Sequence, residues 1–263
     1  MWPSNSSEWA YPGSFPWKAA SKAGLKKACR PRSSGPSDLQ VRLIACLLLL
    51  VATGIHADVS IISRTDWGAL APTGALSRYE DYGQAVPDYD TIVLHVTAMG
   101  HGSGAAEARR IQAYQMTVRG FADIAYNFLI DSQGKVYEGR PLTVVPAHAG
   151  RAVEADESRD ITLDPDFGAI GITFTAGTHT PLSVRQVESA IALIQHLQAK
   201  HPVTRVITHT EVGDLLTAMK LTPVHDHDPE SCPGRGTVDD IIRIRTTVDE
   251  GFDPAAYRAR FNR

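Results

Sequence analysis

Two histidines and a cysteine are the residues from which chemistry can start. His95 sits inside Thr91-Ile92-Val93-Leu94-His95-Val96-Thr97, a β-branched run, and His209 closes Arg205-Val206-Ile207-Thr208-His209. Cys232 follows in Ser231-Cys232-Pro233-Gly234. A histidine in an apolar strand costs free energy unless its ring nitrogens are bonded. Taken singly, each reads as a hydrogen-bonded core residue. Taken together, two imidazoles and a thiolate are a zinc-ligand set, and three protein ligands leave a fourth position open, which is the catalytic arrangement. Such an ion lowers the pKa of water it binds to about 7 and polarises a carbonyl, a route to amide hydrolysis near neutral pH. A second reading pairs Cys232 with His209 as a thiol nucleophile and its base. Pro233 directly after the thiol, and the further strand histidine at 95, suit a metal better.

The elements that must hold these groups run in chain order. Ile61–Gly68 opens the domain, and residues 69–90 read as irregular. Thr91–Thr97 is a nearly unbroken apolar strand of the kind covered on both faces. Gly100, Gly102 and Gly104 make a flexible loop. A helix is expected from Ala105 to Arg119, stopped by Gly120, with Ala108, Ile111, Ala113 and Tyr114 on its inner face. Tyr126–Ile130 and Lys135–Glu138 read as strands joined by a tight turn at Asp131–Gly134. Pro146–Gly150 is a loop carrying His148, and residues 151–168 read as an acidic, exposed excursion without pattern.

Ala169–Phe174 is a second buried strand, in which Gly171 admits the close approach of something. Ser183-Val184-Arg185-Gln186 is a capping box. The helix behind it places Val184, Val187, Ile191, Ile194 and Leu197 on one stripe, and Pro202 ends it. Thr237 is expected to cap a final helix through Ile241, Ile242 and Ile244. Strands alternating with helices around a hairpin predict an α/β fold: a single domain with a central mixed β-sheet flanked by helices on both faces.

The 263 residues are 43% hydrophobic and 21% charged, which suits one globular domain with extensions. Residues 1–40 are rich in Ser, Pro, Gly and Lys without periodicity and receive no fold. Residues 41–57 have the pattern of a signal peptide: Arg42, an apolar core from Leu43, and a small residue at Ala57. A buried helix or membrane anchor is the other reading of that stretch. Because signal peptides normally open the chain, translation is expected to begin at Val41, leaving 1–40 as an unstructured extension or an untranslated one. Residues 58–263 are then the folded domain of an exported protein, periplasmic or secreted. Past residue 57, 19 Lys/Arg face 27 Asp/Glu, an acidic balance that argues against nucleic acid as a partner. Cys232 is the one cysteine of that part, so no internal disulfide can form. A monomer without a lasting membrane anchor is expected.

The words around these residues come in an order that resembles one family. They are Ile92-Val93-Leu94-His95-Val96-Thr97-Ala98, Asp123-Ile124-Ala125-Tyr126-Asn127-Phe128-Leu129-Ile130-Asp131, Gly134-Lys135-Val136-Tyr137-Glu138-Gly139-Arg140 and Ala147-His148-Ala149. Ile170-Gly171-Ile172, Thr208-His209 and Cys232-Pro233-Gly234 complete them. The chain resembles the zinc-dependent N-acetylmuramoyl-L-alanine amidases of the amidase-2 type, which share a fold with peptidoglycan recognition proteins, over roughly Ile61 to Asp240. The resemblance implies cleavage of the amide between N-acetylmuramic acid and the L-alanine of the stem peptide, with Zn2+ held by His95, His209 and Cys232. It implies that the Tyr126 phenol bonds the attacking water or the oxyanion. It also implies that His148 and Thr97 line the groove for peptidoglycan or muropeptides.

Two departures stand out. The family keeps its second histidine and its cysteine close in sequence, whereas 22 residues separate His209 from Cys232 here, and the insertion Gly213–Asp228 carries His225 and His227. Two residues before the cysteine the family commonly has Lys or Thr, and this chain has Glu230. A carboxylate fits a general base better than an oxyanion donor. The competing reading of the whole chain is a non-catalytic module that binds the same polymer. Binding-only members typically lack the cysteine, which this chain keeps.

Overall fold

The computed structural model describes residues 59–84, 88–224 and 231–262. The expected leader at 41–57, the stretch 1–40, and His225, His227 and Glu230 lie outside the described residues. The strands are β1 (Ile61–Ile62), β2 (Thr91–Val96), β3 (Phe128–Ile130), β4 (Val136–Glu138), β5 (Ala169–Phe174) and β6 (Arg205–Thr208). The helices are α1 (Arg64–Trp67), α2 (Ala105–Thr117), α3 (Val153–Ser158), α4 (Val184–Gln198), α5 (His209–Ala218), α6 (Val238–Val248) and α7 (Pro254–Ala259). All six strands form one sheet in the order β1-β4-β3-β5-β2-β6. Every pairing is parallel except the β3–β4 hairpin, so the sheet is mixed, as expected.

Side chains alternate across a strand, and that alternation divides the core. Ile92, Leu94 and Val96 of β2 share one face with Ile170, Ile172 and Phe174 of β5, and α4 and α6 cover it through Val187, Leu193, Ile194, Ile241 and Ile244. On the other face Val93 packs with Val212 and Leu216 of α5 and with Ala152 and Ala155 beside α3. Leu129 and Tyr137 pack there with Ala108 and Ile111 of α2 in a separate cluster. His95 is two residues from Val93 and stands on this second face. The two small clusters leave a gap between α2 and α5, and the gap is why a histidine in a wholly buried strand can reach a cavity.

Several elements differ from expectation. The inner face of α2 is Ala108 and Ile111 with Glu107, Gln112 and Gln115, while Tyr114 is 39% exposed. Gln112 bonds the backbone of Leu70 and the Asp123 carboxylate, and Gln115 Oε1 accepts from Ala125 N–H, so amides tie this helix to its neighbours. The capping box of α4 is present, but Val184 is exposed, and Ala190 and Leu193 join Val187, Ile194 and Leu197 on the buried stripe. Residues 151–168 are no exposed excursion: they form α3 and a 3₁₀ turn at Ile161–Leu163, and bury Ala152, Ala155 and Asp166. Helix α6 is followed by α7, so it is not the last. Thr237 precedes α6, but its Oγ1 donates to the Pro233 and Gly234 carbonyls.

Candidate metal centre

Register brings the ligands together. β6 runs beside β2 only as far as Thr208, which stands opposite Leu94, one residue before His95. The chain then turns into α5, and His209 is the first residue of that helix rather than the last of the strand. Glu211 fixes the turn by accepting from the Thr208 N–H and Oγ1, and Arg245 holds the same carboxylate from α6 at 2.8 and 3.0 Å. The rings of His95 and His209 lie 4.9 Å apart between centroids. Cys232 returns to the same spot across the long insertion because Thr210 Oγ1 donates to its carbonyl at 2.7 Å. The loop can close so tightly because residue 234 is glycine. Its φ is +81°, and a Cβ there would meet the Thr178 carbonyl at 2.4 Å.

One ligand atom from each of His95, His209 and Cys232 lies within 4.8 Å of the other two. Cys232 Sγ is 3.6 Å from His95 Nδ1. A nitrogen at about 2.0–2.1 Å and a sulfur at about 2.3 Å from one tetrahedral zinc would be about 3.6 Å apart, so the pair fits. The Val96 N–H points at the same sulfur from 3.5 Å. Burial pushes the Cys232 thiol up to about 12. A sulfur in that setting ionises only beside a cation, and a divalent ion inverts the preference outright. The donor set, its spacing and its burial therefore suit zinc, with His95 Nδ1 the metal-facing nitrogen.

The centre lies in a cavity of about 350 Å³ between α2 and α5. Tyr126 is half-buried on its wall, 5.2 Å from the His95 ring between centroids. Burial, then the nearby Cys232, raise its pKa well above 10, so the phenol stays protonated and can donate. Thr97 lies at the rim, half-buried, and Ala98 beside it holds φ of +56°. His148 forms part of the inner wall, but its side chain is screened from solvent and its Nδ1 lies 3.1 Å from His95 Nε2. Burial pulls its pKa down to about 3, so the ring is neutral. Gly171 makes room for it: a Cβ there would meet His148 Cδ2 at 2.2 Å.

The structure thus brings together His95, His209, Cys232, Tyr126, His148 and Thr97, while Glu230 lies outside the described residues. Asp166 is a neighbour that pattern reading missed. It is 4% exposed, its Oδ1 accepts the N–H groups of His148 and Ala149 at 2.8 and 2.9 Å, and it is 3.6 Å from His148 Nε2. Burial raises its pKa, and burial with the charge of Asp166 raises that of Asp164. The only hint in the sequence was a carboxylate just before the buried strand of Gly171. Gln115 and Arg119 of the α2 region also line the cavity and were not singled out.

The chain is similar to peptidoglycan recognition proteins in sequence and in fold. Peptidoglycan-recognition protein SC2 of Drosophila melanogaster is 39% identical over 181 residues, covering 65% of this chain and 86% of that protein. The crystal structure of Drosophila peptidoglycan recognition protein SD shares the fold, with a TM-score of 0.51 at 22% identity over 68% of this chain and 91% of that one. So does peptidoglycan recognition protein LE, solved in complex with tracheal cytotoxin, a monomeric diaminopimelic acid-type peptidoglycan. Its TM-score is 0.50 at 21% identity, covering 71% of this chain and 92% of that one. A family model described as N-acetylmuramoyl-L-alanine amidase, Amidase_2, matches residues 85–235, more than half of the chain and all three candidate ligands. This chain belongs to that amidase family.

Proposed function

We propose that the protein is a zinc-dependent hydrolase of the amide between the lactyl group of N-acetylmuramic acid and the L-alanine of peptidoglycan stem peptides. The observation that carries the reading is the cluster of His95, His209 and Cys232 with Cys232 Sγ 3.6 Å from His95 Nδ1, opening on the cavity that Tyr126 lines. The peptidoglycan fragment bound by one structural neighbour supports the substrate class. A zinc ion held by those three side chains would supply Lewis-acid polarisation and a nucleophile at neutral pH.

The chain's own groups do the rest. Water adds to the lactyl carbonyl carbon, and the protonated Tyr126 phenol donates to the oxyanion that develops. Glu230 is the group assigned to take the proton from water and pass it to the departing alanine nitrogen as the C–N bond breaks. Thr97 and the wall at His148 line the space beside the scissile bond. A thiol-nucleophile mechanism is disfavoured, because burial holds the Cys232 thiol protonated. We assign an exported location, with residues 41–57 as the leader; among the described residues no helix is long and apolar enough to cross a membrane.

The test is metal content of the purified protein together with mass analysis of products from muropeptides. One zinc per chain and products with a free alanine amine and an intact lactyl carboxylate support the reading. A chain that binds muropeptides and leaves them uncut with zinc present would be a recognition module, the property named in its relatives.

A further inference from the structure

We infer that Asp166, acting through His148, fixes the His95 imidazole in the tautomer that carries its proton on Nε2 and not on the Nδ1 side, where a metal would bind. This deepens the zinc reading of the site and rests on it for its function. The geometry consists of three contacts in line. His95 Nδ1 faces Cys232 Sγ at 3.6 Å, His95 Nε2 faces His148 Nδ1 at 3.1 Å, and His148 Nε2 faces Asp166 Oδ1 at 3.6 Å. Both ends of the His148 ring are therefore spoken for by groups that cannot move freely. Asp166 is pinned by the backbone N–H groups of residues 148 and 149, and the ring is wedged against Gly171, where even a methyl group would overlap it.

Two proton arrangements are possible along this line, and they have opposite consequences. In the first, His148 carries its proton on Nε2, aimed at the carboxylate. Its Nδ1 then accepts from His95 Nε2–H, and His95 Nδ1 is a lone pair. In the second, His148 carries its proton on Nδ1 and donates to His95 Nε2. His95 must then carry its proton on Nδ1, on the side of the sulfur, where it blocks a metal. The second arrangement also turns the His148 Nε2 lone pair toward a carboxylate inside the protein. Negative charge facing a lone pair at low dielectric is unfavourable, and the Ala169 backbone is a further hydrogen-bonding neighbour of the same ring. The carboxylate therefore selects the first arrangement. A carboxylate that orients a metal-ligating histidine through its second nitrogen is a general device, and here it is extended by one imidazole. Asp166 and His148 are positioning residues, since neither has an atom assigned to the metal or the scissile bond.

The experiment uses the full chain and Asp166→Asn, which keeps an oxygen for the two backbone N–H groups and removes the charge. Two readouts are taken: zinc affinity by chelator competition, and the His95 tautomer in metal-free protein by long-range ¹H–¹⁵N NMR. Wild type is expected to hold the proton on His95 Nε2, and Asp166→Asn to move population toward Nδ1 and to bind zinc ten- to a hundredfold more weakly, with the melting temperature of the metal-free form little changed. Equal affinity and an unchanged tautomer in Asp166→Asn overturn the inference while leaving the hydrolase reading intact. A wild type with the proton on His95 Nδ1 overturns it even if the variant fails to fold. Should wild type bind no zinc, the functional reading falls, and the tautomer measurement still decides the inference.

Discussion

Gly171→Ala is the substitution whose outcome the structure specifies most sharply. Residue 171 lies in β5 and is not in the left-handed region, so alanine meets no backbone penalty. Removing a glycine from the unfolded ensemble should by itself stabilise by about 0.4–1 kcal/mol. Against that stands a Cβ that would sit 2.2 Å from Cδ2 and 2.6 Å from both Cγ and Nε2 of His148. The ring cannot retreat cheaply, because His95 and Asp166 lie at its two nitrogens. Overpacking of this kind costs about 1–3 kcal/mol, and so tight an overlap belongs at the upper end. The net expectation is a loss of about 2 kcal/mol, a fall in Tm of about 4–8 °C for a domain of this size. Thermal unfolding is measured in excess chelator, so that lost zinc binding does not add to the effect. Gly74→Ala is the control, since its Cβ would meet only Ala122 at 3.8 Å and should be neutral or slightly stabilising. A Gly171→Ala protein as stable as wild type would refute the packing of His148 described above.

Three further outcomes follow from the same geometry. Tyr126→Phe should lower kcat by about 10²–10³ while zinc stays bound, as loss of an oxyanion donor does; unchanged turnover on muropeptides would remove that role. Arg245→Met should leave the Glu211 carboxylate without its cation, at a cost on the order of 3 kcal/mol. Urea unfolding checks it, and a loss below 1 kcal/mol would count against the bracing of the His209 turn from α6. Asp164 and Asp166 have pKa values raised from 3.8 by burial, and that of Asp164 further by the charge of Asp166, so the folded chain binds more protons than the unfolded one between that value and neutrality. This contribution is fully present at low pH and is lost as pH rises through the raised values. Asp164→Asn should flatten that decline when stability is followed from pH 4 to 8, and parallel curves for the two proteins would contradict the assignment.

The strands around Ile92 and Ile170 were legible because burial on both faces demands nearly unbroken apolar runs, and the capping box at Ser183 because cap chemistry is local. The inner face of α2 was misread because Gln112 and Gln115 are buried by hydrogen bonds to loops, which periodicity does not register. Residues 151–168 were misread for a related reason. Their polar composition concealed a short helix with an alanine face and a carboxylate whose partners lie 17 and 18 residues away.

The sequence by itself determined which atoms could hold a metal, since imidazole and thiolate chemistry belongs to residue type wherever the chain places them. Only the tertiary structure decided that His209 begins a helix rather than ending a strand, and that Cys232 crosses its long insertion to face His95 Nδ1. It alone showed His148 turned away from solvent toward Asp166. Those outcomes depend on register, on glycines that admit close contact, and on the direction of single hydrogen bonds, quantities that come into being when distant segments pack.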